Sequence, residues 1–380
     1  YMKSIKKILI FIFIFIILFI LYNRRYKIQV ENFSNKNIII FNPTIDKDII
    51  KCKVNFKGKL ITLKNEYEGI NDIYDGVEGF LCLFIPHAIL SGDTIILKKP
   101  ICRKFLNNLK NVKKYYESKL NKKFTLNIQC ELYDKKYEKK KGISTFTGGV
   151  DSFYTILKEN KNISTVFYCI NYDIKETQKN LLEKQLKTVK DVAQKLKKNV
   201  IICKTNQKQV LESIKYENMG YGIWGYLIHG VCIFSNVYNL SNEYSDFYFP
   251  SSQEVEINSI WGSSLYLDKY YSSENLNIVN EDSAGRNDKL KYIIKKNKNI
   301  VFKYLKVCWK NPNQEYNCSK CEKCLRTIIP IGIMDKKNLK KLETFKIDNF
   351  DKILNDYLSM KFKQKSDIYF QKEIRLMIKN

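Results

Sequence analysis

The spacing of apolar positions changes several times along the chain, and each change marks an element. Between Asn37 and Leu97 the apolar residues fall in short β-type runs: 37–41, 48–56, 59–63, 79–85 and 94–97. Turn signals at Asn42-Pro43, Lys57-Gly58, Asp75-Gly76 and Ser91-Gly92-Asp93 separate them. From Leu106 to Leu120 the spacing becomes helical, with Leu109, Val112, Tyr115 and Tyr116 on the same face. Residues 124–132 return to a strand pattern. Residues 28–141 therefore read as a small α+β domain that ends in the charged stretch 135–141. His87, next to Pro86 in apolar surroundings, reads as a packed residue.

After that stretch, buried-type strands alternate with longer amphipathic segments. Thr165–Ile170 is a continuous apolar run that ends at Asn171-Tyr172-Asp173. Gln178–Leu196 has helical periodicity through Leu181, Leu182, Leu186, Val189 and Val192. Asn199–Cys203 is a strand, Gly225–Tyr238 an apolar helix carrying His229, and Asp246–Pro250 a strand ending at Ser251-Ser252. Alternation of this length predicts an α/β fold, a parallel sheet with helices on both faces. Ligands of such sheets sit beyond the carboxyl ends of the strands. The segment Thr147–Ser152, Asp173 and Ser251 all fall at such ends. Residues 254–290 read as an irregular functional loop. It contains Asp268, Glu281, Asp282, Lys289 and Arg286, the one arginine of residues 142–306. Arg286 is the candidate clamp for a substrate carboxylate or phosphate, with a surface salt bridge as its other reading.

The amino-terminal pattern differs from both. Ile8–Tyr22 is uninterrupted apolar sequence between Lys3, Lys6, Lys7 and Arg24, Arg25, Lys27. It is shorter than the roughly 20 residues of a bilayer span, but snorkelling lysines extend its reach. The bulky, charged Tyr22-Asn23-Arg24-Arg25 is a poor cleavage site for the rival reading, a signal peptide. Residues 1–27 are expected to be a membrane anchor, with the catalytic body cytosolic.

Composition adds less than its size suggests. Of 380 residues, 44% are hydrophobic and 28% charged, and the net charge is +27. The excess is almost all lysine, since arginine occurs only at 24, 25, 103, 286, 326 and 375. Arginine dominates base and bidentate phosphate recognition, so nucleic-acid binding stays open without being favoured. Seven of the eleven cysteines (Cys52, Cys82, Cys102, Cys130, Cys169, Cys203, Cys232) are scattered, mostly in apolar runs, as expected of buried thiols in a reducing compartment.

Two motifs carry chemistry. Thr147-Gly148-Gly149-Val150-Asp151-Ser152 precedes a helix-compatible segment, Phe153–Leu157. Paired glycines let backbone approach an anion, and the helix amides then face it. No lysine follows the glycines, which excludes the GxxxxGK[ST] loop. A plain glycine turn before a helix is the competing reading. The second motif is Cys308-x9-Cys318-x2-Cys321-x2-Cys324. Four thiolates at these spacings suit a closed tetrahedral, structural Zn²⁺ site; an iron–sulfur cluster and disulfides or free thiols are the alternatives.

The glycine segment resembles the SGGxDS loop of the PP-loop ATP pyrophosphatases, with Thr147 in place of the first serine. Both motifs together resemble the 7-cyano-7-deazaguanine synthase family over roughly residues 142–330. That resemblance implies an adenine nucleotide alpha-hydrolase-like, Rossmann-like domain at 142–306 and a zinc-binding segment with helices at 307–380. It implies that Thr147, Gly148, Gly149, Asp151 and Ser152 bind the pyrophosphate portion of ATP, with Mg²⁺; Val150 within the loop, and Asp173 and Ser251 at their strand ends, complete the candidate nucleotide site. Asp151, Ser152 and Arg286 are the candidate catalytic residues, and Cys308, Cys318, Cys321 and Cys324 the zinc ligands. The implied activity is ATP-dependent adenylation, ATP going to AMP and pyrophosphate. The implied partners are a small acid or nucleobase-like substrate and ammonia; a homodimer is compatible. A tRNA-modifying, thiolation-type enzyme and a membrane-anchored scaffold without catalysis are the alternative readings.

Overall fold

The computed structural model describes residues 37–56, 58–213, 223–251, 260–280 and 284–379. The expected anchor at 1–27, Ser252, Glu281 and Asp282 lie outside the described residues. Among the described residues, no helix is long and apolar enough to cross a membrane.

Among the described residues thirteen strands form, in chain order. The first eight are β1 Ile38–Ile40, β2 Thr44–Asp46, β3 Ile49–Phe56, β4 Lys59–Glu68, β5 Thr94–Leu97, β6 Ile101–Cys102, β7 Asn127–Gln129 and β8 Leu132–Tyr133. They are followed by β9 Lys141–Thr145, β10 Ile163–Ile170, β11 Asn199–Thr205, β12 Tyr244–Tyr248 and β13 Asn277–Val279. One sheet takes eleven of them in the order β13-β12-β9-β10-β11-β4-β3-β1-β5-β7, with β2 on β3. From β13 to β11 all neighbours are parallel.

The α/β expectation holds in this mostly parallel mixed sheet flanked by helices. Strand β10 shows why its sequence is continuously apolar. Phe167 and Cys169 face one core and Val166, Tyr168 and Ile170 the other, so neither face meets water.

Strands β1 to β5 and β7 continue the same sheet as the strands of residues 142–306. Strand β4 pairs antiparallel with β11, from Ile202↔Glu68 to Thr205↔Asn65. One core cluster joins Ile38, Val54 and Phe80 to Phe167, Phe234 and Phe247. The pairing covers an edge that β11 would otherwise leave open. A polar network seals the joint: Asn65 Nδ2 donates to Asn239 Oδ1 at 2.9 Å, and Thr205 Oγ1 donates to Asn65 Oδ1 at 2.7 Å.

Other expectations are corrected. The β-type run 79–85 is helical, lying in Glu78–Cys82 and Ile85–Ser91. Short, fully buried apolar runs carry no period that separates helix from strand. Gly79 also needs its missing side chain, because a Cβ there would lie 2.7 Å from the Ser235 carbonyl oxygen. The strand at 124–132 divides into β7 and β8. The loop 254–290 contains β13 and a 3₁₀ turn at Asp268–Tyr271, and a helix starts at Arg286. The helix at Gly225–Tyr238 opens with a π turn, Trp224–Ile228, before Tyr238 closes its α-helical part.

The chain runs from β9 through β10 to β11 on one side, then returns to β12 on the other side of β9. The carboxyl end of β9 is therefore the topological switch point, where such sheets open a crevice.

Candidate functional site

Strand β9 ends at Thr145, and the helix Val150–Lys158 begins five residues later. Between them Gly148 takes φ +77°, which other residues rarely adopt, and a Cβ there would lie 3.3 Å from the Tyr304 carbonyl oxygen. The Gly148 carbonyl accepts from the Lys306 amide at 2.8 Å, and the Thr147 carbonyl accepts from Gln185 Nε2 at 3.1 Å. Ser152 Oγ donates to the Gly149 carbonyl at 3.0 Å. No side chain caps the helix at Gly149. The amides of Val150, Asp151 and Ser152 precede the first intrahelical acceptor bond, Phe153 N to Gly149 O at 2.9 Å. They form a positive helix end at the crevice. The Val150 side chain is buried in the core, so only its amide belongs to this loop.

Two cations, Lys289 and Arg286, flank Asp151 at that end. Lys289 Nζ lies 3.1 Å from Asp151 Oδ1 and donates to the Ser251 carbonyl at 2.5 Å. Arg286 Nη1 lies 3.8 Å from Asp151 Oδ2, and Arg286 Nη2 donates to Thr327 Oγ1 at 3.0 Å. Both come from one turn of the helix Arg286–Tyr304, which places them on the same face. Burial works against the Asp151 carboxylate, but Lys289 and Arg286 outweigh it and hold the group below the usual range. Burial, with Arg326 adding to it, brings Arg286 down to about 10. Lys306 is lowered by burial, with Asp173 opposing. Lys323 is lowered by burial and by Arg286 and Arg326, with Asp173 and Asp151 opposing.

Asp173 itself is exposed after β10. Its charge also reaches His229, which burial lowers to about 4. A hydrogen bond to the Gly225 backbone opposes that shift without outweighing burial. The His229 ring lies 6.2 Å from Trp224 and 6.1 Å from Trp261, so it packs among aromatic side chains.

Cys308, Cys318, Cys321 and Cys324 converge, with all four Sγ atoms within 4.8 Å of one another. The Cys308–Cys321 and Cys318–Cys324 sulfur pairs are each 3.9 Å apart. A tetrahedron with Zn–S bonds of about 2.3 Å has edges of about 3.8 Å. The donor set therefore fits a metal such as zinc, closed to further ligands. Backbone amides point at the sulfurs: Asn311 N to Cys308 Sγ at 3.4 Å and Cys321 N to Cys318 Sγ at 3.3 Å. Bonds from neighbouring thiols, Cys324 first, bring Cys321 down to about 5, while the bond to Cys321 pushes Cys324 up and burial pushes Cys318 up, so metal binding would have to release protons from the cluster. The remaining cysteines are free, and burial pushes Cys52 up to about 12.

The chain thus brings Thr147, Gly148, Gly149, Asp151, Ser152, Ser251 and Arg286 to one place, with Asp173 at its rim. Read from the sequence alone, Lys289 has no role of its own, Lys306 and Lys323 are lysines beside the cysteines whose charge offsets that of the thiolates, and Gln185, Tyr316 and Thr327 carry no signal. The Arg286-x-x-Lys289 spacing was the one available signal, and it is legible only once a helix is assigned there. Comparison with family models, curated proteins and solved structures returns no match for the chain.

Proposed function

We propose that the chain is an ATP-dependent adenylating enzyme of the PP-loop type. The reading rests above all on Asp151, held ionised between Lys289 and Arg286 at an uncapped helix start beside the glycine loop.

In this reading the β- and γ-phosphates of ATP lie against the Gly148–Ser152 amides, and the nearby cations offset their charge. The α-phosphate stays open toward the crevice. A carboxylate or carbonyl oxygen of a small acid or nucleobase-like substrate attacks the α-phosphorus, and the bond to the bridging oxygen of pyrophosphate breaks. Ammonia or another nucleophile then attacks the activated carbon and expels AMP. Arg286 and Lys289 stabilise charge that builds on the leaving pyrophosphate. Asp151 is ionised and partly exposed, so it fits an oxygen ligand for Mg²⁺, which would offset triphosphate charge when bound. The zinc-type site is structural in this scheme, since four cysteines leave no open position.

The test follows AMP and pyrophosphate release from ATP with ammonium and a panel of small carboxylic acids and nucleobase carboxylates. The expected result is matched release of both products, lost in Asp151→Ala. Equal nucleotide turnover in the two proteins would refute the reading.

A further inference from the structure

Gln185 reaches the glycine loop from the neighbouring helix Lys179–Lys195. With Leu181, Thr188, Val189 and Val192 it belongs to the buried face of that helix, where packing alone would place a leucine. A buried amide is costly unless both its ends are bonded, and here both are. Gln185 Nε2 donates to the Thr147 carbonyl at 3.1 Å, and Gln185 Oε1 accepts from Tyr316 OH at 3.0 Å. The orientation follows from chemistry. A carbonyl oxygen only accepts, so the nitrogen end faces Thr147, and the oxygen end is left for the Tyr316 hydroxyl.

The direction of the Thr147 carbonyl sets the direction of the next amide. In a trans peptide the C=O and N–H point opposite ways, and among the described residues no peptide is cis. The Thr147 carbonyl turned toward Gln185 therefore turns the Gly148 N–H away from Gln185. In the same way the Gly148 carbonyl, held by the Lys306 backbone amide at 2.8 Å, turns the Gly149 N–H away from that segment. Among the described residues neither glycine amide has an acceptor, and Gly148 is buried. A buried N–H without an acceptor is unfavourable, and an arriving acceptor relieves the cost. These two amides continue the row of Val150, Asp151 and Ser152 at the helix start, so the acceptor that suits them is an anion.

We propose that Gln185 is a positioning residue for pyrophosphate: it holds the Thr147 carbonyl turned into the protein so that the Gly148 N–H is presented to the anion, and Tyr316 keeps the Gln185 amide in its donating orientation. The inference rests on the PP-loop reading of the glycine loop. Without Gln185 the Thr147–Gly148 peptide loses the bond that fixes its plane, and the permissive glycine backbone lets that plane rotate. The N–H must then be aimed again each time the anion binds, and this ordering lowers affinity.

The experiment labels the full zinc-loaded chain with ¹⁵N-glycine and carbonyl-¹³C-threonine and titrates inorganic pyrophosphate, beside Gln185→Met and Tyr316→Phe. Thr147-Gly148 is the one Thr-Gly pair in the chain, so the doubly labelled peptide identifies the Gly148 resonance. Calorimetry gives the affinities, and near-ultraviolet circular dichroism checks the fold of each variant. In the unmodified chain, saturating pyrophosphate should move the Gly148 amide proton downfield, as for an N–H that gains an anionic acceptor. Gln185→Met should lose most of that shift at saturation and bind about tenfold more weakly. Tyr316→Phe keeps Gln185 in place but frees its amide to turn; it should bind about threefold more weakly, with a reduced shift. A side chain that merely fastened the helix to the loop would leave the Gly148 shift at saturation intact. A Gly148 resonance indifferent to bound pyrophosphate, or a folded Gln185→Met with unmodified affinity and shift, would overturn this proposal alone. If Gln185→Met does not fold, Tyr316→Phe decides by the same two readings. No pyrophosphate binding by the unmodified chain would overturn the PP-loop reading and this proposal together.

Discussion

Lys289 ties the carboxylate of Asp151 to the end of β12: one nitrogen lies 3.1 Å from Asp151 Oδ1 and 2.5 Å from the Ser251 carbonyl oxygen. The lysine side chain is only 1% exposed. It therefore fixes the start of the helix Val150–Lys158 against the next strand end, across the switch point of the sheet. Replacing it with methionine keeps the volume and removes the charge-assisted bonds. Lys289→Met should cost about 2 kcal/mol of stability in denaturant unfolding and weaken ATP binding. Unchanged values on both counts would show that the contact does not organise the site.

Gly148 makes a second prediction. Alanine there meets φ +77° and the Tyr304 carbonyl. The conformational term alone is about 1–2 kcal/mol. Gly148→Ala should lower the unfolding midpoint by that order and reduce ATP affinity, because the loop must shift away from the segment at Lys306. A Gly148→Ala chain with native affinity would contradict the assigned backbone geometry.

The cysteine cluster predicts about one bound zinc per chain, lost in Cys318→Ser or Cys324→Ser. Elemental analysis after purification reads this directly. Because binding free energy adds to folding free energy, chelation should lower the thermal midpoint of the unmodified chain far more than that of either variant. Equal midpoints with and without chelator would rule out a structural metal.

His229 predicts a pH dependence of stability. Burial lowers it from 6.5 to about 4, so the folded state holds it neutral while the unfolded state takes up a proton. Its contribution is complete above pH 6.5 and is lost as pH falls toward 4, with an upper limit of about 3 kcal/mol. His229→Gln should flatten the urea midpoint between those values relative to the unmodified chain. Parallel pH profiles would mean that the ring is free to ionise in the fold.

Much of the frame was legible in the sequence. The continuous run Thr165–Ile170 and the periodicity of 178–196 identify a doubly covered sheet, because burial on both faces removes polar positions. The glycine pair and the cysteine spacing are local patterns, so they survive without knowledge of contacts. Other features depend on tertiary context. Glu78–Cys82 is buried on every side, so nothing in its pattern tells helix from strand. The pairing of β4 with β11 joins residues far apart in sequence and leaves no local mark. Lys306 looks like any other residue of a lysine-rich chain; only the path of its backbone past Gly148 sets it apart.

The central claim is that the glycine loop binds the pyrophosphate portion of ATP. Calorimetric titration of the zinc-loaded chain with Mg²⁺ and the non-cleavable analogue α,β-methylene ATP tests it most directly. The account predicts saturable one-site binding that inorganic pyrophosphate displaces, weakened at least about tenfold by Gly148→Ala or Lys289→Met. No binding, or binding that both variants leave unchanged, would contradict it.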